Sequence, residues 1–242
     1  VWLSDDAVPS FVDNIIDDNT NQVIGVSGTI STDAVWKNQN MPYVLVGDVT
    51  VSSDTTLTIE AGVVVKMGYE DDYDSKRLMF IHGILDLQST PDDPIVFTSE
   101  RDDSYGGDSN GDGVGTTPSN RDWGYIQVTN GLNVIHDCVF RYGGYRYISG
   151  STGWRNYSLW IENCSPEVTR CTFEHAYGTG LHYKANPNYD TEPQINKNIF
   201  VECSTGLYFE GAYDAAFRVY KAKATISETS FTACNSGINL SV

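Results

Sequence analysis

A repeated six-residue word in the second half of the sequence constrains the fold more than any other feature. The word is a β-branched residue, two variable positions, a small residue, one variable position and phenylalanine, in segments that begin at Val134, Val168, Ile195 and Ile226. Its phenylalanines are Phe140, Phe173, Phe200 and Phe231, at intervals of 33, 27 and 31 residues. An unequal period around a fixed apolar word predicts stacked coils whose corners are constant and whose loops vary in length.

Short alternating strands follow the words and complete the coils. They read "SLWI", "GLHY", "GLYF" and "GINL", and period-2 alternation predicts these inward pairs: Leu159/Ile161, Leu181/Tyr183, Leu207/Phe209 and Ile238/Leu240. The first half carries looser versions at 56–68, 78–87, 94–99 and 123–128, and no helical period persists. We therefore expect an all-β solenoid of about seven coils over residues 36–242, preceded by a cap, extension or linker at 1–35, with coils spaced about 4.8 Å apart.

Several longer stretches carry a family resemblance. They are residues 36–68, "PIVFTS" at 94–99, "GGDSNGDG" at 106–113, "DWGYI" at 122–126 and "FRYGG" at 140–144. With these stretches the chain resembles the right-handed parallel β-helix proteins of the pectate-lyase-like superfamily, and more closely secreted bacterial β-helix-repeat surface proteins. The resemblance implies a right-handed parallel β-helix in an extracellular setting, and it says little about activity because a fold hosts many functions.

Charge and composition exclude some partners. The net charge is −17 and the isoelectric point is near 4.3, so the surface repels nucleic acid and anionic lipid. No window of eighteen apolar residues occurs, which predicts no membrane insertion. The chain begins "VWLSDD" and ends "GINLSV" within a strand pattern. We expect a processed piece of a longer secreted chain, which continues or stacks on a neighbouring copy beyond residue 242.

The segment "DSNGDGVGTTPSNRD" at 108–122 resembles a calcium-binding loop. Asp108, Asn110 and Asp112 present side-chain oxygens at alternate positions, and Val114 could add its carbonyl, as in the first half of an EF-hand loop. Position twelve is a serine rather than an acid, and Asp122 three residues later could substitute for it. The prediction is a structural Ca²⁺ site at these five residues. The alternative is an Asp/Asn/Gly-rich insert that merely turns the chain.

An outward column of aromatic residues could contact a ligand. Alternation places Tyr125, Trp160, His182 and Tyr208 outward on successive coils, with Lys184 beside them. Such a strip can cover the apolar faces of sugar rings, so we predict contact with a polysaccharide or a partner there. The alternative is that the loops at 146–157 and 184–192 fold over the strip and bury it.

The stretch "RCTFEH" at 170–175 raises the question of a cysteine–histidine site. In the alignment Cys171 shares a corner column with Cys138, and Cys203 shares a second column with Cys234. These columns predict packed thiols rather than nucleophiles or disulfides, because registered parallel side chains fit a disulfide poorly. Cys164 is the odd thiol, in a turn where it could be exposed. No catalytic residue is predicted.

Two classes of function remain. The first is a non-catalytic, calcium-stabilised extracellular module, which acts as a rigid spacer, adhesin segment or fibre subunit. The second is a polysaccharide-binding module or lyase for acidic glycans. A lyase requires a cation or arginine and a tuned base. His182, Lys184, Arg155 and Asp190 could supply these groups, but the acidic and arginine motifs of pectate lyases and the paired aspartates of polygalacturonases are not found at matching positions.

Overall fold

The computed structural model describes residues 1–6, 22–148, 153–185, 192–214, 219–221 and 224–241, and every regular element in this part is a β-strand. In the first half the strands are β1 (Trp2–Ser4), β2 (Ile24–Ile30), β3 (Ala34–Trp36), β4 (Tyr43–Val51), β5 (Thr56–Ile59), β6 (Val64–Met67), β7 (Met79–Ile81), β8 (Ile84–Leu87), β9 (Ile95–Ser99), β10 (Ile126–Val128), β11 (Val134–His136), β12 (Cys138–Arg141) and β13 (Arg146–Ile148). In the second half they are β14 (Gly153–Arg155), β15 (Tyr157–Glu162), β16 (Glu167–Thr169), β17 (Thr172–Glu174), β18 (Thr179–Lys184), β19 (Gln194–Asn196), β20 (Ile199–Val201), β21 (Thr205–Glu210), β22 (Ala212–Asp214), β23 (Val219–Lys221), β24 (Thr225–Ser227), β25 (Ser230–Thr232) and β26 (Ser236–Ser241).

The strands stack as the three faces of a parallel β-helix. The main sheet runs in the order β25-β20-β17-β12-β9-β6-β4-β7-β10-β15-β18-β21-β26, and its two halves join through the long strand β4, which pairs with β6 at one end and with β7 at the other. The third face consists of β3-β5-β8 and β11-β16-β19-β24. Within the described ranges the only antiparallel pairs are the hairpins β13–β14 and β22–β23. Seven strands on the third face match the expected seven coils, so the predicted fold is confirmed.

The sheet begins earlier than the sequence indicated. Strand β2 pairs in parallel with β4, and β1 pairs in parallel with β2. The parallel stacking therefore already includes Ile24–Ile30, and the boundary expected at residue 36 falls inside the sheet. Residues 7–21 of the expected cap lie outside the described part.

A ladder of phenylalanines forms one wall of the core. Phe140, Phe173, Phe200 and Phe231 are paired in register, and Phe97 of β9 extends the column by one coil. Neighbouring rings stack with centroids 4.8 to 5.1 Å apart and planes within 9° of parallel. Each of the three inner rings, Phe140, Phe173 and Phe200, therefore buries both faces against its neighbours, in the way that identical side chains pack on adjacent coils.

The predicted inward pairs are also in register. Leu159, Leu181, Leu207 and Ile238 occupy one column, and Ile161, Tyr183, Phe209 and Leu240 occupy the next. All of these side chains are buried except Ile238 and Leu240 in the last coil.

In each of the last four coils, two corners use left-handed backbone. Asp137, Arg170, Lys197 and Glu228 precede the small-residue column with φ between 48° and 57°, and Tyr142, His175, Glu202 and Ala233 form the second corner with φ between 51° and 64°. Such a conformation is unfavourable for a non-glycine residue. Amides at these corners are bonded between coils, for example from Arg170 N to Asn196 O at 3.1 Å and from His175 N to Val201 O at 3.0 Å. The stacking therefore holds both strained turns in place.

The "RCTFEH" stretch is now explained by the coil geometry. Arg170 and His175 are the two corner residues, Cys171 is buried with Sγ against the carbonyl oxygens of Ile135 and Thr169 at 3.5 Å, and Phe173 belongs to the ladder. His175 instead lies outside the core, stacked on Tyr142. The cysteine and histidine therefore do not form a catalytic pair.

The cysteines are free thiols, as the column argument predicted. Cys138, Cys164, Cys171 and Cys203 are buried and Cys234 is half-buried. Cys164 is thus not exposed in its turn. Burial raises the pKa of Cys164 and of Cys203 to about 12, which keeps both thiols protonated and unreactive at neutral pH.

Candidate functional sites

The loop between β9 and β10 contains the predicted calcium-binding residues, and a buried lysine fixes its base. Lys66 is fully buried, and its Nζ donates to the carbonyl oxygen of Gly107 at 2.6 Å and to Ser109 Oγ at 2.9 Å. Burial lowers the pKa of Lys66, and the nearby carboxylate of Asp102 opposes that shift. The loop is therefore attached to the coil at a defined point rather than extending freely into solvent.

Three aspartates converge in this loop. Asp103, Asp108 and Asp112 each offer a carboxylate oxygen, and these oxygens lie within 4.8 Å of one another. Burial and the neighbouring carboxylate of Asp108 raise the pKa of Asp103, while a hydrogen bond from Thr116 lowers the pKa of Asp112. A group of oxygen ligands with mutual repulsion suits a hard divalent cation, which would offset that repulsion.

Of the predicted calcium ligands, Asp108, Asn110 and Asp112 lie at this cluster. Asn110 lies at the cluster, where its Nδ2 donates to Asp112 Oδ2 at 2.9 Å. Asp108 accepts hydrogen bonds from the amides of Gly111 and Gly113, both at 2.8 Å, so it shapes the turn at the same time. The side chain of Val114 is 93% exposed, and only its carbonyl could act as a ligand.

Asp122 lies away from the cluster and has a separate structural role. Its Oδ2 accepts hydrogen bonds from Ser99 Oγ at 2.6 Å and from the amide of Ser119 at 2.9 Å. Burial raises its pKa. The carboxylate therefore fixes the end of the loop against β9, and the acidic partner of Asp108 and Asp112 is Asp103 instead. Asp103 ends the run "ERDD" and precedes the EF-hand-like loop, so the spacing of that loop did not include it among the predicted ligands.

The aromatic strip is largely buried. Tyr125, Trp160 and His182 are 2%, 8% and 4% exposed, and Tyr208 is half-buried. Ile148 of β13 packs against this cluster, and the guanidinium of Arg155 in β14 lies 5.6 Å from the Trp160 ring. The described part of the hairpin β13–β14 thus packs on the strip at Tyr125 and Trp160, which agrees there with the second interpretation of residues 146–157. Of the second loop, residues 186–191, including Asp190, lie outside the described part.

The register also corrects one member of the strip. Gln127 of β10, and not Tyr125, pairs with Trp160, and the column continues through His182, Tyr208 and Asn239. Tyr125 lies two residues earlier, where it contacts Trp160 edge-to-face at 5.5 Å. Because Tyr125 and Gln127 both point outward, the alternation alone does not distinguish them.

Neither Lys184 nor His182 presents an unpaired positive charge at the strip. Lys184 Nζ pairs with Glu162 Oε1 at 3.2 Å. Burial, with smaller contributions from the charges of Lys184 and Arg155, lowers the pKa of His182 to about 3. The carboxylate of Glu210 lies 3.2 Å from His182 Nε2 but is itself 38% exposed, so solvent weakens its effect. His182 is therefore a neutral, packed ring at physiological pH.

The fold places the chain in the class of parallel β-helix proteins, and a family comparison agrees. Residues 28–145, just under half of the chain, match the family model described as a pectate-lyase like beta helix domain. The resemblance inferred from the sequence is confirmed over these residues. Searches of curated proteins and of solved structures gave no match. In the described ranges, no helix has the length and apolar character needed to cross a bilayer.

Proposed function

We propose that the chain is a non-catalytic structural module of a cell surface or extracellular fibre, and that its last coil accepts a further β-coil along an open edge. The observation that carries this proposal is the exposure of core positions in β26. Ile238 is 45% exposed and Leu240 is 69% exposed, whereas Leu207 and Phe209 in the same columns of the preceding coil are 0% and 3% exposed.

The backbone of the last coil supports the same proposal. Strand β26 pairs with β21 on one side, and none of the described strands pairs with its other side. An unpaired edge with apolar inward positions is a template for strand addition. A neighbouring copy of the chain would supply hydrogen-bond partners for this edge and would cover the exposed apolar side chains.

Support for the alternative function, binding or cleavage of an acidic polysaccharide, is weaker. Binding of acidic polysaccharide through the predicted strip needs exposed rings, and Trp160 and His182 are covered. A lyase needs a base near neutral pKa and an uncompensated cation, while His182 has a strongly lowered pKa and Lys184 is paired. The negative charge of the chain is compatible with an extracellular location, which remains part of the proposal.

Self-association through this edge is the first test. Sedimentation velocity of the chain should show association that grows with protein concentration. Leu240→Lys should weaken it by about tenfold or more, because the variant removes an apolar contact and puts a charge on the pairing edge. The matched control is Val114→Lys, the same kind of change at an exposed residue of the acidic loop. A wild-type chain that stays monomeric at every concentration, or equal effects of the two variants, would contradict the proposal.

We further propose that the cluster of Asp103, Asp108 and Asp112 binds a structural Ca²⁺, with Asn110 and the carbonyl of Val114 as additional oxygen donors. Support comes from the convergence of three carboxylates on one point and from the fixed base of the loop at Lys66. The ion would hold the long connection between β9 and β10 in one conformation and would carry out no chemistry.

Calcium should therefore raise the melting temperature of the chain. At a Ca²⁺ concentration ten times the dissociation constant, the stabilisation is about 1.4 kcal/mol, or about 3–6 °C. Asp108→Asn should abolish most of this shift, and Asp92→Asn, a change at an exposed aspartate of the β8–β9 loop, should retain it. Identical melting curves in Ca²⁺ and in chelator would eliminate the site.

A further inference from the structure

A polar cavity lies where the acidic loop rejoins the coil. It has a volume of about 260 Å³. Its walls come from the segment after β6, from Arg101 just after β9 and from the end of the loop before β10. They include Tyr69, Asp71, Lys76, Arg101, Arg121 and Asp122. None of these residues except Asp122 figured in the sites predicted from sequence.

Lys76 is the most unusual residue of this cavity. It is 3% exposed, its Nζ donates to the carbonyl oxygen of Glu70, and that nitrogen lies 4.2 Å from the centroid of the Tyr69 ring. In the part of the chain that the structure describes, no carboxylate forms an ion pair with Lys76, and the Glu70 carbonyl is the one hydrogen-bond acceptor at its Nζ. A buried ammonium without a direct ion pair is costly, and burial accordingly lowers its pKa, while the charges of the more distant carboxylates of Asp122, Asp71 and Glu70 act in the opposite direction.

Two arginines face the same cavity from other elements. The guanidinium of Arg101 stacks on the Tyr69 ring at 3.2 Å, and the guanidinium of Arg121 lies 4.0 Å from the centroid of the Tyr177 ring. Stacking fixes the plane of a guanidinium and leaves its N–H groups, which lie in that plane, free to donate. Arg101 approaches Asp122 only at 3.9 Å, and Arg121 has no ion-pair partner within the described part.

The carboxylates at this cavity do not balance its cations. Asp71 accepts a hydrogen bond from the Tyr69 hydroxyl at 2.7 Å, and Asp122 Oδ2 is occupied by Ser99 and Ser119. Among the lining residues, three cations and two carboxylates give a formal charge of +1, in a chain whose total charge is −17. A local positive site on such an acidic surface favours a small anion over any cation.

We propose that this cavity binds a tetrahedral oxyanion, the sulfate or phosphate group of a small ligand. Lys76, Arg101 and Arg121 approach from three separate segments, and a tetrahedral group can offer a separate oxygen to each, whereas a carboxylate has only two. The volume is just below the roughly 300–1,000 Å³ of sites for drug-sized molecules, so the ligand is an ion or a small ester. This site is independent of strand addition at β26 and of calcium in the loop.

Isothermal titration calorimetry with inorganic sulfate, inorganic phosphate and acetate, at constant ionic strength in chloride, tests the site. Sulfate and phosphate should each bind saturably, with a dissociation constant on the order of 1 mM or tighter. Loss of one charge-assisted hydrogen bond weakens binding by about tenfold or more, and this is expected for Lys76→Met and for Arg121→Gln. Lys37→Met, an equal charge change at an exposed lysine, should bind like the wild type.

Lys76 is buried, so its variant could fold poorly. Arg121 is exposed, and Arg121→Gln therefore tests anion binding independently of any folding defect. Sulfate and phosphate esters of one monosaccharide then distinguish the two sources of the oxyanion. Absence of saturable binding of both inorganic ions to the wild type would overturn the proposal. So would binding of acetate as tight as that of sulfate, or retention of full affinity in Arg121→Gln.

Discussion

Replacing Phe173 with alanine should lower the free energy of unfolding by about 3–5 kcal/mol, the range found when a buried aromatic ring is truncated. Phe173 is fully buried at the centre of the phenylalanine ladder, with ring centroids 4.9 Å from Phe140 and 4.8 Å from Phe200. Removal of the ring leaves a cavity between two stacked neighbours that are fixed by their own strands. The decrease in unfolding free energy therefore has two parts, the lost burial free energy of the ring and the cost of the cavity that it leaves.

Urea denaturation followed by far-ultraviolet circular dichroism measures this effect. The matched control is Phe231→Ala at the end of the same ladder, where the ring is half-buried and stacks on Phe200 alone. Its loss should be clearly smaller. A Phe173→Ala variant with less than about 1 kcal/mol of destabilisation would show that the ladder does not stabilise the coil as described.

Acidification should destabilise the chain through His182. Burial lowers its folded-state pKa to about 3, whereas an unfolded histidine titrates near 6.5. The neutral ring therefore contributes stability that is fully present above pH 6.5 and is lost progressively as the pH falls toward 3. At pH 5 the unfolded state has taken up the proton and the folded state has not, so the loss is about 2 kcal/mol relative to neutral pH.

The measurement is the free energy of unfolding at pH 7 and at pH 5 for the wild type and for His182→Phe, which keeps a ring in the cluster. The difference between the two proteins isolates His182 from the carboxylates, including Asp122, whose raised pKa acts in the opposite direction. The variant should lose most of the dependence between pH 7 and pH 5. Equal pH dependence in both proteins would indicate that His182 becomes protonated in the folded state.

The sequence was sufficient to predict the repeating part of this fold. The phenylalanine column, the inward pairs and the small-residue corners recur at each coil, and a recurring position can be recognised by alignment. The register confirmed these columns and extended the ladder to Phe97. The left-handed corners at residues such as Arg170 and His175 could not be recognised, because the coils place chemically unrelated side chains there.

The non-repeating segments escaped prediction for a different reason. A spacing motif detects ligands that are close in sequence, so it found Asp108 and Asp112 and missed Asp103, which the return of the chain brings to the same point. The hairpin β13–β14 occurs in one coil only, and its course over Trp160 has no periodic signal. The cavity at Lys76 draws on three separate segments, which only the folded chain brings together.

Hydrogen exchange gives a direct test of strand addition at the open edge of the last coil. Amide exchange followed by mass spectrometry at low and at high protein concentration would report on β21 and β26 separately. The amides of β21 should be protected at both concentrations, because that strand is paired on both sides. Protection of residues 236–241 should rise with concentration as a second coil covers the edge. Exchange in β26 that is the same at both concentrations would contradict the claim.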